Sequence, residues 1–215
     1  MSAEEAQALG DAEFWDERYA KADGDKPTHE WFRAFDALEP FFTKHLFASK
    51  KAEAQPRILH LGSGDSVSVP LLVLEEVARC SQSCIPAFTI SPLLCVNTRL
   101  TSYQTIPYDL LSHGYTNQLC VDFSSVVVDL MKLRHSDKPQ VEWKVGDVRA
   151  MINIDAKSVD VAFNKGTLDA MIYGSPWSPP EEVMENSGKY ISEVCQIWIR
   201  RLYLFVFTGF PKITC

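Results

Sequence analysis

No apolar run in this 215-residue chain reaches the roughly 20 residues that a membrane-spanning helix needs, which excludes a helical span within it. An excess of positive charge is missing too. Lys and Arg total 21 against 28 Asp and Glu, for a net charge of −7. So acidic a chain is poorly suited to gripping nucleic acid through its phosphates. The six cysteines have no regular spacing, which argues against a disulfide framework and fits a reducing compartment. No internal repeat, low-complexity tract or Gly-x-Ser-x-Gly elbow occurs, so neither a solenoid nor an elbow-borne serine nucleophile is expected. The first residues are polar and acidic, unlike a secretory or mitochondrial leader, and a soluble cytoplasmic protein is the expectation. What remains is ordinary: 46% hydrophobic and 23% charged residues, in a length that buries a sizeable core without disulfides or metal.

The apolar pattern divides the chain. Residues 1–13 read as a lead-in, flexible or helical. Over 29–44, Trp31, Phe32, Phe35, Leu38, Phe41 and Phe42 recur at three- and four-residue spacing, which predicts an amphipathic helix bent or broken near Pro40. From residue 57 onward strands and helices alternate. Strands are predicted at 57–61, 118–123, 141–145, 158–164 and 202–208. A helix capped by Ser124 or Ser125 is predicted to run to Arg134, and another to cover 189–199. That rhythm is the signature of an open parallel α/β sheet in one domain spanning 1–215.

Three successive strand ends carry the chemistry. The first runs into Gly62-Ser63-Gly64, where missing Cβ atoms let backbone approach a ligand closely. A tight structural turn has the same sequence, and Val67 stands where the dinucleotide fingerprint needs a third glycine. The second ends in Asp122, a carboxylate able to accept both hydroxyl hydrogens of a ribose. The third ends in Gly146-Asp147-Val148, a carboxylate and an amide suited to an adenine edge. Either acid alone is equally well a solvated loop residue; three successive strand ends carrying Gly-Ser-Gly, Asp and Gly-Asp argue against that reading.

These motifs identify a family resemblance. The chain resembles class I S-adenosylmethionine-dependent methyltransferases, and more narrowly the small lysine methyltransferases acting on elongation factor 1-alpha. The shared blocks are Phe14-Trp15-Asp16-Glu17-Arg18-Tyr19, Glu30-Trp31-Phe32, Gly62-Ser63-Gly64-Asp65-Ser66, Val121-Asp122-Phe123-Ser124-Ser125, Gly146-Asp147-Val148 and Lys165-Gly166-Thr167-Leu168-Asp169-Ala170. The resemblance implies a Rossmann-like, mostly parallel sheet with helices on both faces. It implies S-adenosylmethionine as cofactor, with Trp15, Tyr19 and Trp31 lining its pocket and Gly62 and Gly64 beneath its methionine part. Asp122 and Phe123 would then hold ribose and adenine, Asp147 and Val148 the adenine edge, and Lys165 the end of the fourth strand. Asp169 is the candidate for orienting the incoming amine, with a helix-cap role as its alternative. No metal site, nucleic acid or membrane partner is implied; the partner is a protein substrate, elongation factor 1-alpha.

Two departures from the family pattern stand out. About 20 residues separate glycine turn and ribose acid in nucleotide-binding βαβ units, whereas Asp122 lies 58 residues beyond Gly64. Removing 67–104 restores the spacing. This stretch holds Cys80, Cys84 and Cys95 and few charges, and it reads as an insertion. A translated intron that keeps frame is the leading account, with a lineage-specific loop as the alternative. Cys80 and Cys84 lack the second pair that a zinc site requires. After Ser192-Glu193-Val194 no Pro-Gly-Gly turn follows, so the sheet is expected to be incomplete at its C-terminal side.

Two further functions keep the fold. One is a methyltransferase with another protein or small-molecule acceptor; the other is a degenerate protein that binds cofactor or a partner without catalysis. An NAD-dependent oxidoreductase would need the third glycine and a C-terminal substrate half. His60, inside the first strand, is expected to pack in the sheet or bond a neighbour.

Overall fold

The run Ile58–Leu61, apolar but for His60, forms β1, and all four of its residues are buried. Strands this thoroughly buried belong in the middle of a parallel sheet. β1 indeed pairs in parallel with β2 (Gln118–Asp122) on one side and β4 (Val159–Lys165) on the other. β3 (Val141–Val145) flanks β2 and β5 (Trp198–Phe207) flanks β4, also in parallel, for the order β3-β2-β1-β4-β5. These are the five strands of the computed structural model, which describes residues 3–21, 35–65, 105–175 and 177–207. Trp31 and the insertion 67–104, with its three cysteines, lie outside the described residues. The expected Rossmann-like architecture is therefore observed, with its fifth strand beginning at Trp198 rather than 202.

Helices cover both faces. On one face lies α7 (Glu181–Gln196), whose Tyr190 and Val194 pack against Leu59, Leu61, Leu119 and Val121. It starts earlier than the expected 189, at a site marked by Pro180 and the acidic pair Glu181 and Glu182. Against the other face pack α3 (Phe35–Phe42) and α4 (Ile106–Ser112), through Leu38, Phe42, Ile106 and Leu110 onto Ile58, Val161 and Phe163. Pro40 sits inside α3, and a π-helical turn, Thr43–Phe47, follows it. Proline removes one ladder N–H and crowds the preceding turn, so the break anticipated there takes the form of a wider helix.

α5 (Ser125–Arg134) shares the second face with α2 (Ala12–Ala20). Its Val127, Val128 and Met131 enclose Cys120 together with Trp15 and Tyr19. Ser124 is the cap: its Oγ accepts the amide of Val127 at 3.3 Å. The lead-in contains α1 (Ala3–Ala8), which runs directly into α2 through Leu9, Gly10 and Asp11. A short α6 (Thr167–Met171) follows β4.

Register places the functional turns. Leu61 stands level with Val121 on one side and Asn164 on the other, and Asp122 stands level with Val145. The residues immediately after these strands consequently gather at one edge of the sheet, where ligands of open α/β folds bind.

Candidate functional site

At that edge opens a cleft enclosing about 1000 Å³, measured out to solvent. Its floor is the turn after β1. Gly62 has φ +61° and Gly64 φ +56°, a region where side chains are strained. A Cβ on Gly62 would lie 2.1 Å from Thr167 Oγ1, so this glycine is needed for packing as well as for the turn. Thr167 closes the contact by donating to the carbonyl of Leu61 at 2.7 Å. The β1 and β4 ends are thereby locked to each other.

Asp122 is buried, yet it lines the cleft. Its Oδ2 accepts the amide of Gly64 at 2.9 Å and its Oδ1 that of Ser124 at 3.0 Å. Burial, opposed by those two amides and helped by the charges of Asp16 and Asp65, lifts its pKa to about 6. The same surroundings push the Tyr19 phenol well above its ordinary range, burial first and then the charges of Asp122 and Asp65. Tyr19 stacks on Trp15, ring centres 5.7 Å apart, and Trp15 donates to the carbonyl of Leu9 at 2.9 Å. Ser124 Oγ donates to Asp16 at 2.5 Å, tying α2 to the start of α5. α2 thus forms a wall of the cleft together with Leu9 and Gly10.

Of the residues singled out in the sequence, Trp15, Tyr19, Gly62, Gly64, Asp122, Phe123, Asp147, Val148 and Lys165 all line this one cleft. Trp31 lies outside the described residues, and Asp169 is not part of the cleft lining, which α6 supplies through Thr167, Ala170 and Met171. The Asp147 carboxylate also has a partner that the sequence did not reveal. Arg149 grips it with Nε at 2.9 Å and Nη2 at 2.7 Å, and the Arg149 amide adds a bond of 2.8 Å. Burial works to raise its pKa, but these bonds outweigh it and hold the carboxyl below its usual range. Asp147 therefore acts first on Arg149, another cleft residue, and shapes the loop after β3.

Several lining residues were not foreseen. His60 bonds Gln118 at 2.8 Å, the neighbour contact anticipated for it, but it also faces the cleft. Burial drops its pKa to about 4. Thr105, Ile106 and Pro107 enter from the start of α4, and Phe163 from β4. Strand alternation was the available signal for Phe163, since Lys165 two residues on shares its side of β4. Among the described residues no group of three His, Cys, Asp or Glu is placed to hold a metal ion, and no helix is long and apolar enough to cross a membrane.

No family model matches the chain. Over 189 residues it is 28% identical to EEF1A lysine methyltransferase 4 of Mus musculus, covering 87% of this chain and 56% of that protein. With the Bos taurus protein of the same name it shares 28% identity over 197 residues, 88% of this chain and 57% of that one. The chain thus spans little more than half the length of the curated relatives it matches. Among solved structures, Haemonchus contortus phosphoethanolamine N-methyltransferase 1 aligns over 95% of this chain and 33% of its own, with 16% identity and a TM-score of 0.43. A putative S-adenosyl-L-methionine-dependent methyltransferase from Methanococcus maripaludis aligns over 82% and 66%, with 14% identity and a TM-score of 0.32. Those blocks resembling the elongation-factor lysine methyltransferases that lie among the described residues thus contribute to a single cleft, in a chain whose curated relatives bear that name.

Proposed function

We propose that this cleft binds S-adenosylmethionine and that the chain methylates a protein lysine, with elongation factor 1-alpha as the acceptor and the cytoplasm as its compartment. The observation that carries the proposal is the convergence of four strand ends, bearing Gly62 and Gly64, Asp122, Asp147 and Lys165, on one cleft walled by Trp15 and Phe123. The names of the curated relatives support the acceptor class.

The residues present fit the cofactor. Each Asp122 oxygen takes one backbone amide, which leaves the carboxylate capacity for two ribose hydroxyls. Trp15, Phe123 and Val148 offer apolar surface for an adenine, and the glycine turn leaves room for close backbone approach. A buried hydroxyl in the wall, Thr105 Oγ1, has no hydrogen-bond partner among the described residues, as expected of a wall built to meet a polar ligand.

When bound, the cofactor supplies a methyl group already activated by its sulfonium. The protein's part is then chiefly positioning, since in-line displacement proceeds once donor and nucleophile are held in near-attack geometry. The acceptor lysine must arrive neutral, because only the free amine has a lone pair, and apolar walls favour that form. α2 and the Leu9-Gly10 turn before it limit water access from one side, with Leu9, Gly10, Trp15 and Tyr19 lining the cleft.

The test is transfer of labelled methyl from S-adenosylmethionine to recombinant elongation factor 1-alpha by the full chain, followed by mapping of the modified residue. Label on a lysine, lost with Asp122→Ala, is the expected result. Cofactor binding without label on that acceptor would redirect the search to other acceptors, and absence of binding would overturn the proposal.

A further inference from the structure

Outside the cleft, α7 carries two apolar rows. Val183, Tyr190 and Val194 make the buried one, which packs toward the sheet. Met184, Gly188, Ile191 and Cys195 follow one another at helical spacing and line up along one side of the helix for about 16 Å. That side lies roughly 100° round from the buried row. It faces outward. Met184 is 59% exposed and Ile191 56%, Cys195 is exposed, and a Cβ on Gly188 would meet no heavy atom within 4 Å. One apolar row is what a helix needs to pack on a sheet; the second has no share in the core clusters of the described residues.

The turn leading into α7 bears Trp177, at 95% the most exposed large apolar side chain among the described residues. The turn itself is well held. Ser175 and Ser178 form an antiparallel bridge, and the Trp177 amide donates to Ser175 Oγ at 3.3 Å. Gly174 lies so close to Pro180, the N-cap of α7, that its Cβ would stand 3.0 Å from Cδ. Tyr173 donates to Glu182 at 2.9 Å and fastens the same segment to the first turn of α7. Two residues before Tyr173 is Met171, which lines the cleft, so this surface begins at the cleft's rim. Charge selects what fits it. α7 carries Glu181, Glu182, Glu185 and Glu193 against Lys189, and Lys189 is paired with Glu185 at 2.6 Å. Helical spacing sets Glu181 and Glu185 beside the outer row, on the side away from the buried one. An apolar row with an acidic border complements an amphipathic helix with a basic flank, and it repels an acidic helix such as a second copy of α7.

We infer that Trp177 and the row Met184, Gly188, Ile191 and Cys195 form a docking surface, outside the cleft and leading to it, for a basic amphipathic helix of the protein acceptor. The inference rests on the protein-lysine methyltransferase reading, which supplies that acceptor.

The test combines Trp177→Ala with Ile191→Glu in the full chain. Both side chains are exposed and neither lines the cleft, so the thermal midpoint and the calorimetric affinity for S-adenosylhomocysteine stay level. With recombinant elongation factor 1-alpha as acceptor, KM rises at least about tenfold while kcat holds. A short peptide around the modified lysine, which has no docking helix, is methylated equally by native chain and variant. Met184→Lys alone, which sets positive charge against a basic partner and keeps a good helix former, raises KM in the same direction, so a folding fault in the double variant does not decide the matter. A KM indifferent to these substitutions, or a loss shared equally by the peptide, would overturn the docking surface and leave methyl transfer standing. So would light scattering that shows a native dimer dissociated by Ile191→Glu, since the face would then belong to a second copy. A native chain that is inactive on elongation factor 1-alpha would overturn the acceptor reading, and the docking surface with it.

Discussion

Asp122 sits in conflict between folding and binding. Its pKa rises from 3.8 to about 6 on folding, burial being the main cause. Between those pH values the native chain holds more protons than the unfolded one, so this group's contribution to stability falls as pH rises through the window and stays low above it. Asp122→Asn removes the titration, but it turns an amide N–H against the N–H of Gly64 or of Ser124. Those effects oppose each other at neutral pH. The pH dependence is what discriminates: from about pH 4 to about pH 7, melts should show the variant gaining on the native chain by about 2–3 kcal/mol. Its cofactor response should fall at least about tenfold, since one ribose hydroxyl loses its acceptor. At this scale the sequence was informative wherever a residue type and a strand end coincide, as at Asp122 and Lys165. It was silent on Thr105, whose hydroxyl differs from a helix cap only through the absence of a bond. It did not reveal the partner of the Asp147 carboxylate, because nothing in Asp147-Val148-Arg149 shows that the arginine folds back onto it.

Among the elements, α5 is the one whose start the sequence marked best. Ser124 caps Val127 and also reaches Asp16 across to α2, so one hydroxyl holds two helices. Ser124→Ala should cost about 1 kcal/mol for the cap, and somewhat more where the Asp16 bond is lost with it. Urea unfolding measures this, and an unchanged midpoint would show that neither bond contributes. β1, β2 and β4 were legible as compact, largely buried runs, because burial on both faces leaves few residue choices, and β3 was legible by alternation, with Val141 and Trp143 buried and Glu142 exposed. The beginning of α7 was not, because Val183 is separated from Tyr190 by two polar turns, and the acidic pair after Pro180 was the better guide. The π-turn after Pro40 has no sequence code beyond the proline, since its width is settled by packing of Phe42 and Leu46 into the core.

At the scale of the whole molecule, α1 and α2 lie against the body, with Ser124 to Asp16 and Gln7 to Glu182 among the polar bonds that tie them. Ligand contact with Trp15 and Tyr19 should tighten this packing. Hydrogen exchange of the amides of α2 is therefore expected to slow on adding S-adenosylhomocysteine, while that of α3, on the far side of the cleft lining, stays constant. Equal protection of both would indicate a global effect without closure. The strand order carries a consequence for biosynthesis. β1 sits between β2 and β4, and its β4 partners, starting with Val161 opposite Ile58, are made about a hundred residues later. A ribosome releasing the chain from its N-terminus must expose an unflanked central strand until β4 emerges. The cleft, which draws on residues from Leu9 to Met171, comes into being only once Met171 has been made, so ligand affinity arrives all at once rather than strand by strand.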